Sequence, residues 1–199
     1  RATATAEARL AVLQARMQPH FLFNTLNTIA ALAGTDPARA EQATEALATL
    51  LRATLGAPDA LVPLEDELEL CRRYLDIESL RLGERLKVCW RVDDKPPGAQ
   101  VPLLAVQPLV ENAVRHGIEP RAGGGTVHIT LGHDARRLWL EVDNPSPAGA
   151  TAAAGGARMA LDNLRERLVV LYGPQAALRA GTHGQRYVAR LEVPLERAR

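Results

Sequence analysis

Cysteine is almost missing from this 199-residue chain. Cys71 and Cys89 stand far apart, and neither lies in a C-x-x-C or similar metal-ligand spacing. No zinc site is written in the sequence, and reduced thiols or at most one disulfide remain. No apolar run approaches the 18 or so residues that a membrane-spanning helix needs. A signal peptide is also absent, and the chain begins at Arg1, so a fragment of a longer protein is expected. Runs of like charge are lacking too: Lys/Arg alternate with Asp/Glu, and the net charge is +1. That balance gives no reason to expect direct nucleic-acid binding. There is no internal repeat. What is present, 47% apolar and 24% charged residues, is the composition of an ordinary globular protein.

Apolar spacing supplies the elements. Leu10, Leu13, Met17 and Phe21, then Leu22, Leu26, Ile29 and Ala33, recur at three and four and predict a helix over 6–33. Gly34 terminates it, Asp36 is an N-cap and Pro37 suits the first position of the next helix. That helix, 37–55, carries Ala43, Leu47, Leu50 and Thr54. The two form a hairpin whose apolar surface exceeds what the pair covers, and pairing with a second hairpin into a four-helix bundle would resolve this. A third helix follows Pro63, with Glu65, Asp66 and Glu67 in its first turn as the helix dipole favours. Period two then sets in at Leu86, Val88, Trp90 and Val92, a strand. Pro102 opens the next expected helix, with Gly117 as its stop. Strands 126–132 and 138–143 read as a hairpin, and 145–156, rich in Pro, Ala and Gly, as a loop. Leu161, Leu164, Leu168 and Leu171 mark a last helix, and strands near 176–180 and 185–193 close the chain. Strands with one face covered by helices predict an α+β sandwich from roughly 64 onward.

Two motifs carry chemistry. In Gln18-Pro19-His20-Phe21-Leu22-Phe23-Asn24, a proline inside a helical stretch loses a backbone donor and crowds the carbonyl of Ala15. A turn opened there would push the His20 ring outward. About ninety residues later stands Pro108-Leu109-Val110-Glu111-Asn112-Ala113-Val114-Arg115-His116-Gly117. Together they resemble the LytS/AlgZ type of bacterial sensor histidine kinase, and the resemblance covers nearly the whole chain.

The resemblance implies a dimerisation and phosphotransfer hairpin in residues 1–60 and a GHKL-type (Bergerat) ATP-binding α/β sandwich in 61–199, with a mixed, largely antiparallel sheet. It makes His20 the phosphoacceptor from ATP. Asn112 becomes the Mg²⁺ ligand, since magnesium takes oxygen donors and keeps several waters. Arg115 and His116 would neutralise phosphate charge, although His116 could equally be a cation at a helix C-terminus. Asp143 would accept from the adenine amino group, or simply cap a turn. Partners implied are a second copy and a response regulator, in such families often of LytTR type, with the membrane reached only through N-terminal segments absent here. The chain would then be the cytoplasmic portion of an inner-membrane sensor.

Three departures stand out. Where other sensor kinases place an acidic residue after the histidine, this chain has Phe21, so the proton acceptor is open; Asn24 could orient the ring or lie between helices. The usual Asp-x-Gly-x-Gly reads Asp143-Asn144-Pro145-Ser146-Pro147. The second glycine box keeps only Gly156 in register, so Arg158 is the candidate for a side-chain phosphate contact. Lost glycines make a signalling scaffold with weak or no ATP binding the alternative to a kinase. A chaperone- or topoisomerase-like ATPase needs a glutamate four residues before the asparagine, where this chain has Pro108. His128, His133 and His183 read as surface residues.

Overall fold

A computed structural model describes residues 19–57, 60–146 and 155–195, with 155–158 given by backbone alone. Helix α1 (Pro19–Ala33) and helix α2 (Pro37–Thr54) pack together across the Gly34-Thr35-Asp36 turn. Asp36 caps α2 by accepting from the Arg39 backbone N–H at 3.2 Å, and Pro37 sits in the first turn, where its missing donor is harmless. The part of the predicted first helix before Pro19, with Ala15 and the bend, lies outside the described residues.

The pair does not stand alone. Helix α3 (Leu64–Leu82) packs against both helices. Phe21 of α1 meets Tyr74 of α3 with ring centroids 4.9 Å apart, and Leu47 and Leu50 of α2 belong to the same apolar core as Leu68, Cys71 and Leu75. α3 therefore buries one side on the hairpin and another on the sandwich. Cys71 and Cys89 are both free thiols. No helix among the described residues is long and apolar enough to cross a membrane.

The main sheet comprises β2 (Leu86–Arg91), β4 (Gly125–His133), β5 (Arg137–Pro145), β6 (Ala177–His183) and β7 (Arg186–Pro194), in the order β2-β4-β5-β7-β6. Only β2 and β4 run parallel; the remaining pairs are antiparallel. Val127 and Ile129, Leu138, Leu140 and Val142, and Leu191 and Val193 are buried, on the face that α3, α4 (Gln107–Asn112) and α5 (Gly155–Tyr172) cover. The opposite face is lined with charge, and the Arg190 guanidinium lies 5.0 Å over the Trp139 ring, shielding it as a cation–π pair. A small second sheet pairs β1 (Leu61–Pro63) with β3 (Gln100–Pro102).

Two expected boundaries move. Pro102 does not open a helix: it closes β3, paired with Leu61, and α4 begins five residues later with Pro108 in its first turn. Tertiary pairing with β1 claims 100–102, so the helix starts only where its free N–H groups find an acceptor. The expected loop over 145–156 is shorter at both ends, because Pro145 pairs with Arg186 and α5 begins at Gly155.

Candidate functional site

The acceptor for α4 comes from α3. Glu67 is fully buried and takes hydrogen bonds from the backbone N–H groups of Leu104 (2.8 Å), Val106 (2.9 Å) and Gln107 (3.3 Å). Val106, the N-cap, and Gln107, the first helical residue, carry donors that a helix leaves unmet at its start. Leu104 adopts φ 57°, the left-handed region that a branched side chain rarely enters. Arg167 of α5 donates to the Leu103 carbonyl. Burial pushes the Glu67 carboxyl up, with the three backbone donors pulling it down.

From this anchored start α4 runs to Asn112 and continues as a π turn over Ala113–Ile118, closed by Glu119 N–H donating to Val114 O at 2.9 Å. Such π turns concentrate at functional sites. Asn112 is buried, and its amide hydrogen-bonds the Tyr187 hydroxyl, yet its Oδ1 has no partner. A buried oxygen acceptor without a donor is costly in a folded protein. It fits a hard cation such as Mg²⁺, which takes amide and phosphate oxygens. One turn on, Arg115 is exposed. His116 is half-buried, its Nε2 lacks a partner, and burial followed by the neighbouring Arg115 charge lowers its pKa. That favours the neutral ring over a capping cation.

β5 divides two residues that adjoin in sequence. The alternation that turns Leu138, Leu140 and Val142 inward also turns Asn144 inward, where it is 1% exposed. Asp143 therefore points to the opposite face, paired with Arg186, which also donates to His128 Nδ1 at 2.7 Å. Strand pleating and the Arg186 pair hold Asp143 on that face. Asn144 takes the inward position, donating to the Pro145 carbonyl at 2.8 Å. It lies against the π turn so closely that a Cβ at Gly117 would fall 2.1 Å from its Nδ2. Period two, applied one residue further, would have found it. Gly156 lies in the first turn of α5; the Arg158 side chain and residues 147–154 lie outside what is described.

His20 is exposed on α1, with the Asn24 amide 3.2 and 3.4 Å from its two ring nitrogens. It opens onto a small cleft lined by Asn24, Tyr74, Glu78, Arg81, Arg115 and Glu119. The cleft thus joins α1 to the helix that carries Asn112. Arg81 donates to both Glu78 and Glu119, and Glu78 keeps only 3% of its side chain exposed.

This sheet, helix layer and asparagine helix define the fold of histidine kinase catalytic domains. The catalytic domain of histidine kinase ThkA superposes with a TM-score of 0.53 at 13% identity, over 70% of this chain and 98% of that one. The Acinetobacter baumannii histidine kinase AdeS gives 0.52 at 14%, over 96% and 98%. Both likenesses concern fold alone.

Residues 8–86 match the Histidine kinase family. Sensor histidine kinase BtsS of Escherichia coli (strain K12) is 36% identical over 174 residues, 86% of this chain and 31% of that protein. Sensor protein LytS of Bacillus subtilis (strain 168) is 34% identical over 184 residues, 86% of this chain and 31% of that protein. The chain is similar to LytS-type sensor histidine kinases over most of its own length, and it spans about a third of the length of the curated relatives it matches.

Proposed function

We propose that the chain is the kinase portion of a two-component sensor, transferring the γ-phosphoryl of ATP to His20 and onward to a response-regulator aspartate. One observation carries this reading: His20 and Arg115 line a single cleft, and Arg115 stands one turn from the orphaned Asn112 oxygen. Acceptor and proposed phosphate site thus meet.

In this reading Asn112 holds Mg²⁺, which when bound neutralises phosphate charge and orients the triphosphate. Arg115 adds an exposed positive charge beside the transferring group, and a neutral His116 can accept or donate without repelling Mg²⁺. Asn144, rather than Asp143, faces the base, offering an amide where relatives of the wider ATPase superfamily use a carboxylate. Gly156 and Arg158 remain the candidates for closing over the phosphates. Residues 1–60 serve as the dimerisation and phosphotransfer unit and 61–199 as the ATP-binding unit, coupled through Phe21 and Tyr74. Phe23 and Leu26, 66% and 49% exposed on α1, support a second copy as the cover for that face. A regulator of LytTR type and N-terminal membrane segments belong to the same proposal.

The test is labelling with γ-³²P-ATP. Wild type should acquire acid-labile, base-stable phosphate, and His20→Gln should lose it while binding Mg-ATP as before. Labelling that survives in His20→Gln overturns the acceptor assignment. Wild type that binds no Mg-ATP would favour the signalling scaffold.

A further inference from the structure

Transfer to an imidazole leaves a proton to be removed. The attacking ring nitrogen forms the N–P bond, and the P–O bond to ADP breaks with its electron pair moving to the β-phosphate oxygen. The other ring nitrogen must then shed its proton for a neutral phosphohistidine to result. The neighbour in sequence cannot take it: Phe21 is an apolar ring, 7% exposed and packed on Tyr74. Asn24 contacts the ring but its amide is no base.

We propose that Glu78, reaching the cleft from α3, is the proton acceptor and orienting carboxylate for His20, replacing the acidic residue that other sensor kinases carry beside their histidine. This rests on His20 being the phosphoacceptor.

Four observations support the choice. First, the cleft holds both side chains and has room for roughly one water, so a single water can bridge the ring and the carboxylate. Second, among the described residues the only other groups lining it that could take a proton are Tyr74 and Glu119. Burial holds the Tyr74 hydroxyl well above its ordinary pKa, in the protonated form, and Glu119 is the more exposed carboxylate, at 21% against 3%. Third, burial raises the Glu78 carboxyl, Arg81 restrains the rise and the neighbouring Glu119 adds to it. A carboxylate shifted upward in this way is better matched to an imidazole proton. Fourth, Glu78 and Glu119 offset Arg81 and the cation developing on the ring, which leaves Arg115 as the remaining positive charge in the cleft. The groups lining the cleft around Glu78 are Tyr74 and Arg81 on α3, His20 and Asn24 on α1, and Arg115 and Glu119 beyond Asn112; the buried Glu111 carboxyl, pushed up to about 7 by burial, also feels the Glu78 charge.

Glu78→Gln keeps the shape and removes the base. In single-turnover labelling of the whole chain with Mg-ATP, it should slow phosphorylation by about 10²-fold or more and leave Mg-ATP affinity within twofold. Its rate should climb with pH where wild type levels off, because solvent hydroxide takes over the proton. Glu78→Asp should recover part of the rate and restore the plateau. On the unmodified protein, ¹H–¹⁵N spectra should find neutral His20 in one tautomer, locked by the carboxylate. A Glu78→Gln rate within threefold of wild type with an unchanged pH profile overturns the proposal. So does an ordinary tautomer mixture in wild type, which decides the matter even if the variant does not fold. Labelling that persists in His20→Gln instead brings down the acceptor reading itself.

Discussion

Removing Glu67 should damage the asparagine helix although the residue does not line the His20 cleft. Three backbone donors, from Leu104, Val106 and Gln107, converge on its carboxylate at 2.8, 2.9 and 3.3 Å. Val106 is 0% and Gln107 4% exposed, so water cannot readily replace the acceptor. Each buried donor left unmet costs roughly 1–3 kcal/mol, and the one methylene that Ala lacks, Cγ, adds about 0.8 kcal/mol. Relief of a buried charge works in the opposite direction, since burial raises the carboxyl's pKa. Glu67→Ala should therefore lose about 3–6 kcal/mol, a large share of the roughly 5–15 kcal/mol typical of a domain. Glu67→Gln keeps one oxygen for Val106 and Gln107 but turns an N–H₂ toward Leu104, and should lose about 1–3 kcal/mol. The pH dependence has a definite sign. With the folded pKa above the unfolded one, the Glu67 contribution is complete below the ordinary carboxylate value near 4.5 and declines as pH rises through the folded value. The gap between wild type and Glu67→Gln should thus narrow as pH rises above about 4.5. Urea unfolding from pH 4 to 8 measures both effects. A Glu67→Ala loss below about 1 kcal/mol would refute the capping argument.

Gly117→Ala would drive a Cβ to 2.1 Å from Asn144 Nδ2; thermal unfolding should report about 1–3 kcal/mol of overpacking, and calorimetric titration should find weaker Mg-nucleotide binding. Asn112→Ala should abolish the Mg²⁺ dependence of ATP binding, read by titrating nucleotide with and without the metal. Phe23→Ser with Leu26→Ser removes two exposed apolar side chains and should shift a dimer toward monomer in sedimentation at micromolar concentration, with little change in folding of the monomer.

The helices and strands were legible because their signals are local. Apolar spacing located α2, α3 and the β4–β5 hairpin, and Asp36-Pro37 announced the start of α2. His20 and Asn112 stood out through neighbours a few residues away, such as Pro19 and Gly117. The face of Asp143 was legible too, since strand alternation alone assigns Asn144 to the inside. Other features depend on residues distant in sequence. The start of α4 at Gln107 rather than Pro102 follows from β1 pairing and from Glu67, some forty positions earlier. The cleft joining His20 to Glu78, Arg81, Arg115 and Glu119 exists only because α1, α3 and the asparagine helix pack together. Sequence periodicity shows which face of an element is apolar. Which elements then meet is decided by long-range burial, and that determined which carboxylate faces the histidine.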